Sequence, residues 1–167
     1  MTQQQATPAE NNSVTSDQIQ LVTFWVGSEE FAVEILAVRE INRMLEITSV
    51  PEAPSYVEGV INLRGLIVPI VDIRKRFGAP SKKSDSETRI IVVEVNGRMI
   101  GFIVDRVNEV LRLNRDVIDP APDLGNSDVG QFISGVGKLE DRLIILLDIA
   151  KLIADLRIDD HALSNAA

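Results

Sequence analysis

The stretch Gly59-Val-Ile-Asn-Leu-Arg-Gly-Leu-Ile-Val-Pro-Ile-Val-Asp-Ile73 decides the fold, because its pattern occurs twice in the chain. Its apolar and turn positions recur 76 residues later, as Gly135-Val136, Leu139, Leu143-Ile144 and Leu146-Leu-Asp-Ile149. A pattern that repeats at a fixed spacing indicates a duplicated structural unit. The chain is therefore predicted to consist of two related halves.

The residues before this stretch repeat as well, at a shorter spacing. Six positions recur 69 residues later: Phe31, Val33, Ile35, Val38, Glu40 and Ile41 match Ile100, Phe102, Val104, Val107, Glu109 and Val110. The spacing thus grows by seven, from 69 to 76. We expect the second copy to carry a longer loop, placed within Asp119–Gly130.

The composition of both halves is typical of β-structure. The chain has 167 residues with nineteen Val and nineteen Ile, grouped in short runs between Gly, Pro, Asn and Asp. The predicted strands are Leu21–Val26, Glu30–Ile35, Val60–Leu63, Leu66–Val71, Arg89–Val95, Met99–Val104 and Leu143–Leu147. Two copies of about 65 to 70 residues are too small for large separate cores. They are expected to pack together as a pair of small barrels or curled sheets.

Turns and helices follow from local signals. Gly27–Glu30, Arg64-Gly65 and Asn96-Gly97 are predicted to form hairpin turns. A C-terminal helix is predicted over Asp148–Asp155, with Asp148 as its N-cap, and a shorter helical turn between Asp72 and Phe77. Gly135-Val-Gly-Lys138 lacks the Ser or Thr that completes a phosphate loop and is interpreted as a turn.

Composition and charge restrict the classes of function. Seventeen basic against twenty-five acidic residues give a net charge of −8, which disfavours nucleic acid as a partner. The chain has no cysteine, no secretion-type start and no run of about 20 apolar residues. A cytoplasmic protein without membrane insertion is expected. Residues 1–18 are predicted to be a disordered leader, and residues 156–167 a flexible tail.

No catalytic, metal or cofactor site is predicted. The chain lacks Gly-x-Ser-x-Gly, His-Glu-x-x-His and Gly-x-Gly-x-x-Gly motifs, and its one histidine, His161, lies in the tail. A protein that is not an enzyme is therefore expected. A small-molecule-binding barrel or enzyme stays open as an alternative, since two curled sheets can enclose a cavity.

A few charged positions are candidates for contact with a partner. Arg64 corresponds to Glu140 in the second copy, so the hairpin tip reverses its charge, whereas Glu40 and Glu109 agree. Each glutamate lies among apolar residues, which fits either a solvated strand face or a partner surface. Met44–Ile47 fits either buried anchors or an interface.

These residues resemble the CheW family of bacterial chemotaxis coupling proteins. The resemblance rests on Tyr56–Ile73, Phe31–Ile35, Val38–Ile41 and Leu143–Ile149, and it covers about residues 19–155. It implies a mainly β fold: two intertwined five-stranded SH3-like β-barrels from an internal duplication, with a short C-terminal helix. The first barrel half is taken as residues 19–87, and the second as 88–155.

The resemblance also implies a role and partners. Members of this family are adaptors that link the cytoplasmic tips of methyl-accepting chemotaxis receptors to the regulatory domain of the histidine kinase CheA. Such an adaptor is cytoplasmic and is recruited to membrane-associated receptor arrays. A regulator of another kinase pathway, such as surface motility, is an alternative that the sequence leaves open.

Residue by residue, the resemblance assigns two surfaces. Val38, Glu40, Arg64 and Val110 match positions that the family uses against the receptor helix, in a groove between the barrels. Ile47, Asp119, Asp123 and Leu124 match positions associated with kinase contacts. Asp119 replaces a basic residue of some relatives, and Leu124 replaces an aromatic one.

Overall fold

A computed structural model describes residues 17–80, 83–121 and 129–156, in which strands predominate. The strands are β1 (Gln18–Val26), β2 (Glu29–Glu34), β3 (Val38–Arg43), β4 (Val57–Leu63), β5 (Leu66–Asp72), β6 (Arg89–Val95), β7 (Arg98–Val104), β8 (Arg106–Asn114), β9 (Ile118–Pro120), β10 (Ile133–Leu139) and β11 (Arg142–Leu147). Helix α1 spans Ile73–Arg76 and helix α2 spans Ile149–Asp155. Single 3-10 turns occupy Ile35–Ala37, Arg115–Val117 and Gly130–Phe132. All seven predicted strands and both helices are thereby confirmed.

The strands form two sheets, each built from both halves of the chain. The first, in the order β3-β6-β7-β5-β4, is called the first barrel here, and the second, β8-β1-β2-β11-β10-β9, the second barrel. Neighbours pair antiparallel except at β5–β7 and β2–β11, which pair parallel. The halves also pair with each other antiparallel, at β3–β6 and β1–β8, so each sheet has two junctions between the halves. The intertwined arrangement expected from the resemblance is present, with the three-residue β9 as a sixth strand in the second barrel.

Two hairpins reverse at positive φ, as their sequences predict. Asn96 and Gly97 have φ of 53° and 80°, and Arg64 and Gly65 have 53° and 89°. Both central residues of such a turn need positive φ to match the twist of the strands. The Asn62 side chain also accepts a hydrogen bond from the Gly65 amide at 2.8 Å. Arg64 is thus held at the tip of a tight turn.

Each barrel closes where one strand passes over a glycine. After β3 the chain continues to Thr48, which exchanges two backbone hydrogen bonds with Val60 of β4 at 2.8 and 2.9 Å. In the second barrel β9 pairs with β10, with Asp119 opposite Val136. A Cβ on Gly59 would lie 2.0 Å from the Thr48 carbonyl oxygen, and one on Gly135 would lie 2.9 Å from that of Asp119. Glycine is therefore required at both closures.

This closure corrects two predictions from sequence. One is that Gly135–Lys138 forms a turn, and the other is that the longer loop of the second copy lies entirely within Asp119–Gly130. Gly135–Lys138, interpreted as a turn, lies within β10, because its glycines admit a crossing strand rather than a reversal. The side chains of Ile47 and Ile118 occupy equivalent places over Gly59 and Gly135, so the repeat spacing is already 71 at Ile118. Two of the seven extra residues therefore precede Ile118, and five follow it.

The largest apolar cluster lies between the barrels and joins them. It includes Val22, Phe24 and Val33 of the second barrel and Ile91, Val93 and Phe102 of the first, all nearly inaccessible to solvent. Helix α2 adds Leu152 and Ile153 to this shared cluster. Each barrel also has a smaller cluster of its own. Burial of this shared apolar surface stabilises the packing of the two barrels against each other.

A buried ion-pair network ties α1 to a hairpin of the second barrel. Arg74 donates to Asp72 from Nε at 2.8 Å and from Nη2 at 3.0 Å, and to Asp105 from Nη1 at 3.0 Å. The other oxygen of Asp105 accepts the Gly27 amide at 2.7 Å. Hydrogen bonding to Asp72 raises the pKa of Arg74. The network fixes the β1–β2 hairpin against the first barrel.

Candidate functional site

The clearest surface feature is an ion pair between strand β3 and the β4–β5 turn of the first barrel. Arg64 Nη1 lies 2.6 Å from Glu40 Oε2, and Arg64 Nη2 lies 3.0 Å from Glu40 Oε1. Strand β3 presents Glu40, and the β4–β5 turn presents Arg64 from its tip. A two-pronged guanidinium–carboxylate contact is stronger and more directional than a single hydrogen bond. Two of the residues assigned to receptor contact are thereby brought together.

The two side chains of this pair differ in exposure. The Arg64 side chain is 74% exposed, whereas that of Glu40 is 20% exposed. The hydrogen bond from Arg64 lowers the pKa of Glu40, and the same contact raises the pKa of Arg64. Glu40 is accordingly an anchored carboxylate, and Arg64 is a cation open to a partner.

Val38 lies on β3 and Val110 on β8, the strands that precede the closures of the first and second barrels. Val38, at the start of β3, is half-buried and packs against the shared cluster. Val110 of β8 is 54% exposed and pairs in register with Val22, a member of that cluster. The valines therefore belong to different barrels, and each borders the apolar contact between them. This placement suits the two rims of a groove.

Ile47 and Asp119, assigned to kinase contact, lie at the equivalent closures of the two barrels. Ile47 is half-buried beside Gly59, whereas Asp119 is exposed on β9 and lies 2.8 Å from Lys138. This contact raises the pKa of Lys138. Each barrel thus offers one candidate surface at its own closure. Asp123 and Leu124 lie outside the described residues.

One polar cluster was missed by the sequence analysis. Glu109, the counterpart of Glu40, is paired with Arg142, and Arg142 Nε lies 3.3 Å from the buried carboxylate of Glu30. Asn108 donates a hydrogen bond to that carboxylate at 2.8 Å. Hydrogen bonding to Glu109 raises the pKa of Arg142. The internal repeat places Glu140 at the position of Arg64, whereas Arg142 corresponds to Leu66. The repeat alone therefore does not identify Arg142 as the partner of Glu109.

The described part of the chain shows features of a binding surface. Its acidic and histidine side chains include no group of three that could hold a metal ion. None of its helices is long and apolar enough to span a bilayer. Its surface carries charge pairs and exposed apolar side chains, and this combination suits recognition of another protein.

Comparison with known proteins gives consistent results. Residues 20–157 match the model of the CheW-like domain. A chemotaxis protein CheW of Helicobacter pylori is 36% identical over 151 residues, covering 90% of this chain and 91% of that protein. The CheW of Rhizobium meliloti is 40% identical over 136 residues, covering 81% and 88%.

A solved structure is also similar. The scaffolding protein TtCheW of Thermoanaerobacter tengcongensis superposes with a TM-score of 0.73 at 37% identity, covering 77% of this chain and 88% of that one. This chain therefore shares its two-barrel architecture with a scaffolding protein of known structure.

Proposed function

Since the chain belongs to the CheW family of chemotaxis scaffold proteins, we propose that it is a non-enzymatic adaptor that couples methyl-accepting chemotaxis receptors to the histidine kinase CheA. As such it works in the cytoplasm, at membrane-associated receptor arrays. The adaptor unit spans residues 19–155, and its two halves, residues 19–87 and 88–155, each contribute strands to both barrels.

The observation that carries the proposal is the exposed pair of Glu40 and Arg64. Arg64 lies outside the core, because its side chain is mostly in solvent, and the second barrel has Glu140 at the same turn position. A receptor helix can dock an apolar stripe on Val38 and Val110 while the charge pair fixes its orientation. The receptor surface is therefore assigned to these four residues.

The kinase surface is assigned to the two closures. Ile47 supplies an apolar contact on the first barrel, and Asp119, with Asp123 and Leu124, supplies the contact on the second. Because the closures are equivalent in construction, a kinase domain built on a similar pair of barrels can contact them head to tail. Such heterologous contacts form closed rings when the rotation between neighbours permits it.

Calorimetric titration tests the proposal with each partner separately. The full chain is titrated with the regulatory domain of CheA and with a cytoplasmic-tip fragment of a receptor, both from the same genome. We expect saturable one-to-one binding to each partner, with Kd on the order of micromolar, or about 8 kcal/mol. Failure to bind any CheA of that genome would contradict the proposal.

A pair of variants separates the two surfaces. Ile47→Asp is expected to weaken binding of the kinase domain and to leave receptor binding unchanged. Arg64→Glu is expected to do the reverse. Loss of both kinase binding and receptor binding in either variant would show that the two surfaces are not distinct.

A further inference from the structure

A depression lies beside the assigned receptor surface and contains none of its residues. It measures about 350 Å³ and is formed by the ends of β1 and β2, the 3-10 turn Ile35–Ala37, Arg112 of β8 and Arg115. The 3-10 turn packs against β1 of the second barrel and β6 of the first. The depression therefore lies where the two barrels meet.

Leu36 projects from this turn into solvent. Its exposed fraction of 92% is the highest among the large apolar side chains of the described residues. Its neighbour Ile35 packs against the shared cluster, so the turn that carries Leu36 is anchored. A single exposed apolar side chain is ordinary on a protein surface, so Leu36 matters here because it lines the same depression as two exposed arginines.

Arg112 continues the face that carries Val110. Leu111 and Leu113 point inward and pack against the cluster of the second barrel, so Val110 and Arg112 share the outer face of β8. Residues two apart on a strand are about 7 Å apart along it. A partner lying on Val110 thus reaches Arg112 within one or two helical turns of about 5.4 Å.

The depression is positively charged on a chain that is acidic as a whole. Arg112 and Arg115 are exposed, and within residues 17–80, 83–121 and 129–156 neither forms an ion pair. Glu34 is the one carboxylate among its lining residues, whereas the whole chain carries a net charge of −8. Asp17 and Asp116 flank Arg115 without lining the depression. The two guanidinium groups are therefore available to an acidic partner.

We propose that this depression extends the receptor surface and binds carboxylate side chains of the receptor helix. Arg112 and Arg115 pair with carboxylates one or two turns beyond the apolar residue that contacts Val110, and Leu36 contacts an apolar side chain between them. A polyanion such as nucleic acid fits less well, because the overall charge repels it and Leu36 would have no apolar partner. The inference rests on the proposed function and adds to it a preference for acidic helices.

The test compares the wild-type chain with Arg112→Glu/Arg115→Glu in binding a receptor cytoplasmic-tip fragment. The matched control is Lys83→Glu/Lys151→Glu, which makes the same change of charge at two exposed lysines outside the depression. We expect the arginine variant to bind at least about tenfold more weakly at low salt, and the control to stay within about twofold. Raising the salt concentration should weaken wild-type binding more steeply than that of the arginine variant.

The possible outcomes distinguish the failure of this inference from the failure of the proposed receptor role. Equal binding by the wild type and the arginine variant, with CheA binding intact in both, would overturn this inference alone. Absence of any receptor binding by the wild-type chain would overturn the proposed receptor role together with it. Leu36→Ser should weaken binding several-fold without altering thermal unfolding, and unchanged affinity would remove Leu36 from the surface.

Discussion

Glu40 and Arg64 form a two-pronged ion pair, and its counterpart in the second barrel takes its arginine from a different position of the repeat. There Glu109 pairs with Arg142, which also faces the buried carboxylate of Glu30. Arg142 is thus held from two sides, whereas Arg64 contacts one carboxylate at the tip of a turn. Both copies of the repeat contain the glutamate, and the more exposed of the two arginines, Arg64, is in the first barrel.

Arg64→Glu should abolish or strongly weaken receptor binding and leave thermal unfolding nearly unchanged. The side chain is mostly solvated, so its removal costs the fold little, while the new carboxylate faces Glu40 and repels an acidic helix. Calorimetry and a melting curve check both parts. Arg39→Glu is the matched control, because it breaks the exposed Arg39–Glu94 pair on the same barrel. A large fall in melting temperature would instead assign Arg64 to the fold.

Arg64→Ala should raise the pKa of Glu40 toward the ordinary value of a glutamate. Arg64 lowers this pKa in the folded chain, so the pair's contribution to stability is present above the pKa of unfolded glutamate and is lost as the pH falls through the folded value. A carboxyl-carbon NMR titration of both proteins measures the change. An identical Glu40 titration in the variant would show that the pair is not formed in solution.

Arg74→Ala should lower the free energy of unfolding by about 3–5 kcal/mol, because it leaves the buried carboxylates of Asp72 and Asp105 without a cation. Urea unfolding gives the value. Lys75→Ala on the same helix loses only a partly exposed pair with Glu58 and should stay within about 0.5 kcal/mol of wild type. Similar values for the two variants would mean that the network is not buried as described.

Gly59→Ala should open the closure of the first barrel. Its φ of 148° favours glycine, and the added Cβ would overlap the Thr48 carbonyl and the Ile47 side chain, so a loss of about 3 kcal/mol is expected. Kinase binding should fall as well, since Ile47 is displaced. Gly137→Ala, whose Cβ would meet neighbours no closer than 3.7 Å, is the control and should change stability by less than about 1 kcal/mol. A fully stable Gly59→Ala chain would exclude this account of the closure.

The sequence predicted the strands whose residues are nearly all apolar and the hairpins with positive φ. It did not predict β3 and β8 as separate strands, because their half-buried residues alternate with charged ones such as Glu40 and Arg112. The prediction of a turn at Gly135 is wrong, because in the sequence a glycine beneath a crossing strand cannot be distinguished from a glycine in a turn.

The candidate site, too, was predicted only in part from the sequence. The family resemblance supplied Arg64 and Glu40, and their geometry as a direct pair came from the structure. Arg142 could not be found from the repeat, since it reaches the counterpart of Glu40 from a position shifted by two residues. The exposure of Leu36 depends on the packing of two barrels against its neighbour Ile35, which no local pattern encodes.

The most direct measurement of the adaptor role is a sedimentation experiment with three components. A receptor cytoplasmic-tip fragment and the CheA regulatory domain are mixed at micromolar concentration, with and without this chain. The account predicts that the receptor fragment and the CheA domain sediment together, in one complex with the chain, only when the chain is present, and that Arg64→Glu abolishes this co-sedimentation. Two separate binary complexes that never combine, or a receptor–CheA complex that forms equally well without the chain, would contradict it.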